Sequence, residues 1–293
     1  MNSFDTVLEQ FINDLNNNFV ADIYANIPSG KRLRPKLIFN IIKNEQSIKL
    51  AAIIELIHIS SLLHDDVIDD ALTRRNENSI NNTYGNKTAI MLGDILYSKA
   101  FYELTAFDTK IAKIVSKAVS TLSIGELEDV KLAEFFNTDK ELYLSMIYKK
   151  TASLIEASTH AGAILAGHDE NIYKTYGKNL GVAFQIIDDI LDITENSQTL
   201  GKPALNDFKE GKVTLPYLIA YEKSSFNTQE KLKSMYKRVL NKEESTWVKE
   251  LLNNTNAIKD SYNYAKTLAN QALTGIKEPK LQEIISSILD RDF

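Results

Sequence analysis

Two aspartate-rich segments carry the residues of this chain whose types and spacing could do chemistry. Each contains the pattern Asp-Asp-x-x-Asp, first within LLHDDVIDDALTRR at 62–75 and again within FQIIDDILDI at 184–193. Carboxylate ligand sets without histidine or thiolate partners favour Mg²⁺ over Zn²⁺. Because Mg²⁺ takes few carboxylates and completes its shell with water and phosphate oxygens, the pattern indicates a magnesium site that recognises phosphate groups.

Helical geometry would place the carboxylates of each segment on one stripe. Residues four apart lie about 40° apart around a helix, so Asp65 and Asp69 share one face and Asp66 and Asp70 share the next. Such close like charges repel unless a cation neutralises them. A single stripe would fit a solvated acidic helix equally well, but two stripes embedded in Ile and Leu that face each other would form a cavity for divalent cations. In the second segment the polar stripe comprises Gln185, Asp188, Asp189 and Asp192.

Basic segments flank both aspartate segments and could bind the outer oxygens of a diphosphate. GKRLRP at 30–35 precedes the first segment, Arg74 and Arg75 end it, and KKT at 149–151 lies within a long predicted helix. GKPALNDFKEGK at 201–212 follows the second segment. Any one of these segments is more often a solvated surface charge, but their order and spacing favour a diphosphate site.

The elements that must position these residues are predicted to be helices. Apolar residues recur at helical spacing along almost the whole chain, and 11 glycines and 5 prolines are few for 293 residues. The predicted helices include 48–72 with the first aspartate segment, 139–166 with KKT and 170–193 with the second aspartate segment. No change of composition marks a linker, so residues 1–293 are predicted to form a single all-α domain.

Composition excludes several classes of function. A net charge of −5 argues against a nucleic-acid partner, and the absence of cysteine excludes a disulfide, a thiolate metal site and a thiol nucleophile. The N-terminal MNSFDTVLEQF lacks the basic and then apolar layout of a secretory signal. No apolar run reaches the roughly 18–20 residues of a membrane span. We therefore predict a cytoplasmic protein.

In combination, the motifs resemble those of the trans-polyprenyl diphosphate synthases, in particular the long-chain, octaprenyl-type branch. The resemblance runs from about Gly30 to Pro216. It implies an isoprenoid-synthase-type all-α helical bundle around a deep central cavity, forming a polyprenyl synthetase domain that is usually a homodimer. The segments that occur in the family's order are GKRLRP, ELIHISSLLHDDVIDD, TRR, GDILYSKAF, KKTASLIEAS, GVAFQIIDDILD and GKPALNDFKEGKVTLP.

The resemblance also implies roles for individual residues. The Mg²⁺ ligands, for three ions per active site with substrate bound, would be Asp65, Asp69 and Asp188, supported by Asp66, Asp189 and Asp192. The side chains that hold isopentenyl diphosphate would be Lys31, Arg34, His58 and Arg75. Those that hold the allylic diphosphate would be Arg74, Lys150, Thr151, Gln185, Lys202 and Lys212. The residues closest to the reaction would be Asp65, Asp66, Asp69, Arg74, Lys150, Asp188, Asp189 and Lys202.

Two positions depart from the family's usual pattern. Asn76 stands where a glycine usually follows the arginine pair, and Leu205 stands where a glycine is usual in the loop after the second segment. Both positions lie in loops, so the departures concern loop closure and substrate affinity rather than the metal site.

The implied reaction joins isopentenyl diphosphate to an allylic diphosphate such as farnesyl or geranylgeranyl diphosphate. Metal ions and fixed cations stabilise the negative charge that grows on the leaving diphosphate. The double bond of isopentenyl diphosphate attacks the resulting allylic cation, and a proton is then lost to the departing diphosphate. Hydrocarbon walls are expected around the cation because water would quench it.

Small side chains before the first aspartate segment predict a medium-to-long all-trans product. Ser60 and Ser61 lie five and four residues before Asp65, about one helical turn deeper, where short-product relatives carry a bulky aromatic residue. The two-residue spacer in DDVID also matches the longer-product branch. A product of the size used for quinone side chains is expected, and its hydrophobicity implies transient membrane contact. Close packing of two helices is the alternative explanation for these serines.

Other functions remain open at this stage, the first being a short-chain farnesyl or geranylgeranyl diphosphate synthase. A class I terpene cyclase also uses an aspartate-rich helix and Mg²⁺, but it normally carries an Asn/Asp, Ser/Thr, Glu triad as its second metal site. A non-catalytic regulatory subunit would usually have lost acidic positions that are complete here. Glu55-x-x-His58 has the spacing of di-iron ligands, but that architecture needs a second copy, which the chain lacks.

Overall fold

The structure of the protein, a computed structural model, describes residues 3–194 and 205–290. Over these residues the chain is almost entirely helical, and its two short strands pair as an antiparallel hairpin. The predicted all-α class is therefore confirmed. In chain order the elements are α1 (Phe4–Asn13), α2 (Asn18–Ala25), α3 (Leu33–Ile41), α4 (Glu45–Ile68), β1 (Thr73–Arg74), β2 (Glu77–Asn78), α5 (Ile80–Tyr84), α6 (Asn86–Leu104), α7 (Thr109–Leu132), α8 (Lys140–Ile147), a π-helical turn (Tyr148–Ala152), α9 (Ser153–Ala166), α10 (Glu170–Thr194), α11 (Asn206–Glu210), α12 (Leu215–Glu222), α13 (Phe226–Ser234), α14 (Lys242–Asn254), α15 (Ala257–Ala272) and α16 (Pro279–Leu289).

The chain divides into two compact units. The first unit comprises the residues up to Ser120 together with Leu154–Lys174. The second unit comprises Thr121–Ser153 together with the chain from Thr175 onward. The first aspartate segment thus belongs to the first unit and the second segment to the second unit. A single domain over 1–293 stays a prediction.

Helix α4 is the centre of the first unit's core. It begins with a capping box, in which Asn44 accepts the Ser47 backbone N–H and the Ser47 hydroxyl accepts the Asn44 N–H. From Leu50 to Ile57 every side chain is buried, and all are apolar except Glu55. Helices α1, α3 and α6 pack against it. This burial gives the C-terminal end of α4 a rigid base.

Helix α4 is also long and apolar enough to cross a membrane by length and composition alone. The sequence analysis found no such run because Glu55 and His58 interrupt the apolar residues of this helix. Inside the protein, 67% of its most apolar stretch is buried. That burial is the pattern of a core helix.

An aromatic cluster packs inside the second unit. Phe208 stacks on Tyr217 with ring centroids 4.5 Å apart, and Phe136 and Tyr236 meet Phe208 edge-on. Such aromatic pairs add roughly 0.5–1.5 kcal/mol each beyond their buried area. Helix α12, which carries Tyr217, packs against α14 and α15. The cluster therefore anchors the chain that follows the second aspartate segment.

Candidate active site

The first aspartate segment lies at the C-terminal end of α4 and continues beyond it. The helix ends at Ile68, before the predicted end at 72, because Asp70 adopts a left-handed conformation with φ of +49°. Ala71 N–H bonds to the Asp66 carbonyl at 2.8 Å, and Asp70 N–H bonds to the Val67 carbonyl at 3.4 Å. This pair of bonds is the Schellman arrangement that ends a helix.

Only part of the predicted carboxylate stripe survives this helix end. Asp65 and Asp69 remain one turn apart, since the Asp69 N–H bonds to the Asp65 carbonyl at 2.8 Å. Asp65 is half-buried and Asp69 is exposed. The prediction that Asp70 shares a helical face with Asp66 is wrong, because the left-handed residue turns the chain out of the helix.

Asp66 is the buried carboxylate of the segment, with 4% of its surface exposed. Its two oxygens accept the Arg74 Nε–H at 2.7 and 2.8 Å, and Arg74 Nη2 lies 2.6 Å from Oδ1. Burial raises the pKa of Asp66, and the hydrogen bond and charge of Arg74 oppose that rise. Removing one partner of such a buried pair leaves the other charge uncompensated. Asp66 therefore fixes the position of Arg74.

A two-residue hairpin presents the second arginine of the pair. Arg75 and Asn76 connect β1 to β2, and both have positive φ, +56° and +64°. That is the signature of a type I′ turn, in which asparagine is favoured as well as glycine. Arg75 Nη1 donates to the Pro28 carbonyl at 2.5 Å. A β-carbon at Gly30 would lie 2.5 Å from Arg75 Nη2, so a larger residue there would force the end of this flexible side chain to shift.

A pocket in the first unit, about 180 Å³ in volume, is lined by arginine, histidine and carboxylate side chains. His58 comes from α4, and Arg74 and Arg75 come from the hairpin, with Arg32 and Glu55 also lining the wall. His58 and Arg75 were both predicted to hold isopentenyl diphosphate. Arg74, predicted for the allylic diphosphate, lines the same pocket.

Burial controls the charge of the groups around this pocket. Burial lowers the pKa of Arg34 to about 10, opposed by Glu55, and Arg34 remains a cation at neutral pH. Burial first, and then the charges of Arg34, Arg75 and Arg74, hold the pKa of His58 well below its usual range. His58 is therefore neutral at pH 7 and offers one N–H donor rather than a positive charge. Lys31, the remaining residue predicted for isopentenyl diphosphate, is exposed.

The second aspartate segment is held from inside the second unit. Asp189 is buried, and its carboxylate accepts the Tyr143 hydroxyl and, at 2.9 Å, the Gln185 amide N–H. Burial and then the charge of Asp207 raise the pKa of Asp189, and the two hydrogen bonds oppose that rise. Asp192 accepts the Asp207 backbone N–H at 3.1 Å. Asp188 is half-buried.

The KKT segment lies in a π-helical turn, Tyr148–Ala152, inside the long helix predicted at 139–166. Lys150 Nζ lies 2.7 Å from Asp129 and 2.9 Å from Glu126, both on α7. Thr151 Oγ1 donates to Gln185 Oε1 at 2.7 Å. π-Helical turns occur frequently at functional sites, and this one carries Lys150 next to Thr151, which contacts Gln185. The role of these three residues in holding the allylic diphosphate stays a prediction.

The chain after the second segment contributes one further predicted cation. Lys212 Nζ lies 2.9 Å from Glu210. Leu205 adopts a left-handed conformation with φ of +62°, which explains why glycine is usual there, and its side chain is buried. Lys202 lies outside the described residues.

The oxygen-only donor set fits Mg²⁺, although it does not by itself complete a metal site. Within residues 3–194 and 205–290, no group of three or more His, Asp or Glu side chains is arranged to hold a metal ion. A hard cation that keeps waters and takes substrate phosphate oxygens needs only one or two carboxylates at a time. In the first unit Asp65 and Asp69 are available for this role, and in the second unit Asp188 is.

Comparison with known proteins identifies the family. The model of the family described as polyprenyl synthetase matches residues 17–255. The chain belongs to the polyprenyl synthetase family. A prenyl transferase of Cyanidium caldarium is 36% identical over 267 residues, covering 86% of this chain and 80% of that protein. The octaprenyl diphosphate synthase of Escherichia coli K12 is 35% identical over 223 residues, covering 73% of this chain and 69% of that protein.

A solved polyprenyl synthetase structure also superposes on the chain. The octaprenyl pyrophosphate synthase of Helicobacter pylori shares 40% identity at a TM-score of 0.93, covering 98% of this chain and 97% of that one. These matches confirm the predicted family and the prediction of a medium-to-long-chain trans-prenyltransferase enzyme. The polyprenyl synthetase family is generally magnesium-dependent.

Four supporting residues of this polyprenyl synthetase were missed from the sequence. Glu55 and Asp129 are buried carboxylates beside predicted cations, and Tyr143 bonds to Asp189. Asn81 donates to the Asp66 and Ala71 carbonyls at 3.1 and 3.0 Å, which ties down the end of α4. Of these four, Glu55 alone could have been noticed in the sequence, as a single charged residue inside the apolar run of α4.

Proposed function

We propose that this polyprenyl synthetase condenses isopentenyl diphosphate with an allylic diphosphate, such as farnesyl or geranylgeranyl diphosphate. The product would be a medium-to-long all-trans polyprenyl diphosphate, close in length to an octaprenyl chain and used for quinone side chains. The relatives named octaprenyl synthases support this length. We also propose a cytoplasmic homodimer with transient membrane contact through its product.

The observation that carries the proposal is the cationic pocket of the first unit. Arg74, Arg75 and the neutral His58 line a space of about 180 Å³. Arginine forks match the geometry of phosphate oxygens, and a diphosphate carries enough negative charge to compensate for the cluster. Arg34 and Lys31 would contribute further positive charge from the segment before α3. We assign this pocket to the diphosphate of isopentenyl diphosphate.

The allylic diphosphate is assigned to the cations of the second unit. Lys150 and Thr151 in the π-helical turn and Lys212 after the second segment would bind its oxygens, together with Lys202. Lys150 would exchange a carboxylate partner on α7 for a phosphate oxygen. Three Mg²⁺ ions per active site, held by Asp65, Asp69 and Asp188, would stabilise the negative charge of the leaving diphosphate.

These residues would promote the reaction by binding and electrostatics rather than by covalent attack. As the carbon–oxygen bond of the allylic diphosphate breaks, Lys150, Lys202 and Lys212 stabilise the charge on the leaving group. The pocket residues hold isopentenyl diphosphate so that its double bond forms the new carbon–carbon bond. The proton lost from the product passes to the released diphosphate, so no side-chain base is required.

Product length is assigned to the residues one turn before the aspartates. Ser61 is half-buried, and its hydroxyl donates to the His58 carbonyl at 2.8 Å. Ser60 is fully buried and donates to the Leu56 carbonyl at 2.8 Å. Because a larger side chain at Ser60 would overpack the core, Ser61 is the better position at which to test chain length.

The test is an elongation assay with the purified full chain, Mg²⁺, farnesyl diphosphate and labelled isopentenyl diphosphate, with products resolved by length. We expect label in products longer than geranylgeranyl diphosphate, and no incorporation when EDTA is present. Ser61→Phe is expected to shorten the products. Asp188→Asn is expected to lower kcat by roughly 100-fold because it removes a ligand for the metal ions that stabilise the leaving group. Asp22→Asn, at an exposed aspartate of α2, is the matched control.

Other outcomes would contradict specific parts of the proposal. Products that stop at geranylgeranyl diphosphate would identify a short-chain synthase. Consumption of farnesyl diphosphate to a cyclic hydrocarbon without label would identify a terpene cyclase. A folded protein that incorporates label only with a partner chain would be a regulatory subunit.

A further inference from the structure

Two glycines from different helices contact the π-helical turn that carries Lys150 and Thr151. Gly125 lies on α7, and a β-carbon there would overlap the backbone nitrogen of Lys150 and lie 2.7 Å from the carbonyl carbon of Lys149. Gly181 lies on α10, and a β-carbon there would lie 2.5 Å from the Ala152 Cα and 2.6 Å from its Cβ. Ordinary carbon contacts are about 3.5–4.0 Å. Each glycine therefore allows a backbone approach that any other residue would prevent.

The obstructing atoms are backbone atoms, or a β-carbon attached directly to the backbone. They cannot move aside by a change of side-chain rotamer, so the backbone itself would have to shift. Adding a methyl group at either glycine would push the turn away by about an ångström or force it into another helical geometry. Gly125 also precedes the two acidic residues of α7 that bond to Lys150 Nζ, Glu126 at 2.9 Å and Asp129 at 2.7 Å. The close approach at Gly125 is thus the contact that brings the carboxylates of α7 to this lysine.

A chain of hydrogen bonds links the turn to the second aspartate segment. Thr151 Oγ1 donates to Gln185 at 2.7 Å, Gln185 donates to Asp189 at 2.9 Å, and Tyr143 donates to the other oxygen of Asp189. Gln185 lies one turn after Gly181 on α10. The spacing between α10 and the turn, which Gly181 sets, therefore decides whether the Thr151–Gln185 bond can form.

We propose that Gly125 and Gly181 are positioning residues for the allylic substrate: they seat the π-helical turn so that Lys150 and Thr151 meet its diphosphate. The inference rests on the proposed function of these two side chains. It also accounts for the π geometry, because the turn is held on two sides by backbone contacts. Since a misplacement of about 1 Å can cost about 100-fold in rate, an extra methyl group at either glycine should weaken use of the allylic substrate.

The test compares Gly125→Ala and Gly181→Ala with the matched control Gly162→Ala. Gly162 is also helical and buried, but a β-carbon there would meet Ile41 at 3.4 Å and the Ile38 Cα at 3.8 Å, both ordinary contacts. The measurements are kcat, the KM of each substrate, the Kd of unreactive farnesyl thiodiphosphate and Tm. We expect both test variants to raise the KM of farnesyl diphosphate and the Kd of the analogue at least tenfold. The KM of isopentenyl diphosphate should stay within twofold, and the control should stay within twofold throughout.

Three results would overturn the positioning role. The first is that the test variants leave the KM of farnesyl diphosphate and the Kd of the analogue unchanged. The second is that the KM values of farnesyl diphosphate and isopentenyl diphosphate rise equally. The third is that Tm falls without a change in the KM of farnesyl diphosphate. If the alanine variants do not fold, Ala152→Ser adds one atom on the other side of the contact with Gly181, and the same selective rise is expected. Wild-type constants for a folded Ala152→Ser would then overturn the proposal.

Lys150→Ala separates this inference from the proposed function. If it raises the KM of farnesyl diphosphate and the glycine variants do not, only the glycine role fails. If wild-type protein elongates no allylic primer, the proposed function fails. The glycine role is then judged from crystal structures of wild type and Gly125→Ala. Retention of the π-helical turn and of the Lys150–Asp129 contact in the variant would overturn it.

Discussion

At the residue scale, the predicted diphosphate-binding cations are held in place by carboxylates. Asp66 holds Arg74 by two Nε–H contacts, and Asp129 holds Lys150. Long cationic side chains lose rotamer freedom when they bind, so prior fixing reduces that loss at the moment of substrate binding. Some aspartates near the site therefore hold cationic side chains in place, and others are available as metal ligands.

His58 makes the stability of the protein depend on pH. Its folded-state pKa lies well below 6.5, because of burial and then Arg34, Arg75 and Arg74, whereas the unfolded chain has the ordinary value of about 6.5. Below that pH the unfolded state binds a proton that the folded state does not, so stability is lost as pH falls. The loss approaches about 1.4 kcal/mol per pH unit for this one group.

Urea unfolding at pH 7.5 and pH 5.5 checks this prediction. Wild type should lose about 1 kcal/mol more than His58→Gln between the two values. Equal losses in wild type and His58→Gln would show that His58 takes up its proton equally in both states.

At the element scale, residues in the left-handed conformation end helices and reverse the chain beside the candidate site residues. Asp70 ends α4, Arg75 and Asn76 form the hairpin turn, and Leu205 precedes α11. A left-handed residue other than glycine costs roughly 1–2 kcal/mol, least for asparagine and aspartate. The buried side chain of Leu205 offsets this cost by burial of its apolar surface.

Asn76 offers a test of the hairpin. Asn76→Gly should leave the KM of isopentenyl diphosphate within twofold, because glycine accepts the left-handed conformation. Asn76→Val should raise that KM about tenfold, because a β-branched residue disfavours positive φ and would displace Arg75 from its bond to the Pro28 carbonyl. Steady-state kinetics with both variants give the measurement. An unchanged KM for Asn76→Val would mean that the turn does not position Arg75.

At the scale of the whole molecule, the proposed metal ligands are divided between the two units. Asp65 and Asp69 belong to the first unit and Asp188 to the second. Over the described residues, no three carboxylate or histidine side chains form a ready metal site. Because Mg²⁺ keeps several waters and is usually bound through one or two carboxylates plus substrate phosphates, we expect metal binding to depend on the diphosphate.

Thermal unfolding checks this dependence. Mg²⁺ with farnesyl thiodiphosphate at about 100 times its Kd should stabilise the protein by about 2.7 kcal/mol, a rise in Tm of roughly 5 °C. Mg²⁺ alone should give less than half of that rise, and the analogue with EDTA should also give less. A full rise with Mg²⁺ alone would show a metal site that forms without substrate.

The helical class, the family and the residue types of the candidate site could be predicted from the order of amino acids. Those properties depend on local periodicity and on the order of short motifs, which can be read along the chain. The side-chain partners could not be read in this way, because they come from distant parts of the sequence. Tyr143 and Asp189 are 46 residues apart, and Arg75 and Pro28 are 47 apart.

Tertiary structure alone decided which groups work together. It placed Arg74 in the same pocket as Arg75, ended α4 before Asp70 and put a π-helical turn at Lys150. Each outcome depends on packing at that point. Asp66 is buried beside Arg74, the Asp66 carbonyl accepts the Ala71 N–H at the end of α4, and the glycines of α7 and α10 lie close to the backbone of the π-helical turn. Side-chain periodicity carries no information about such contacts, so the sequence predicted the residues of the site but not how they are held.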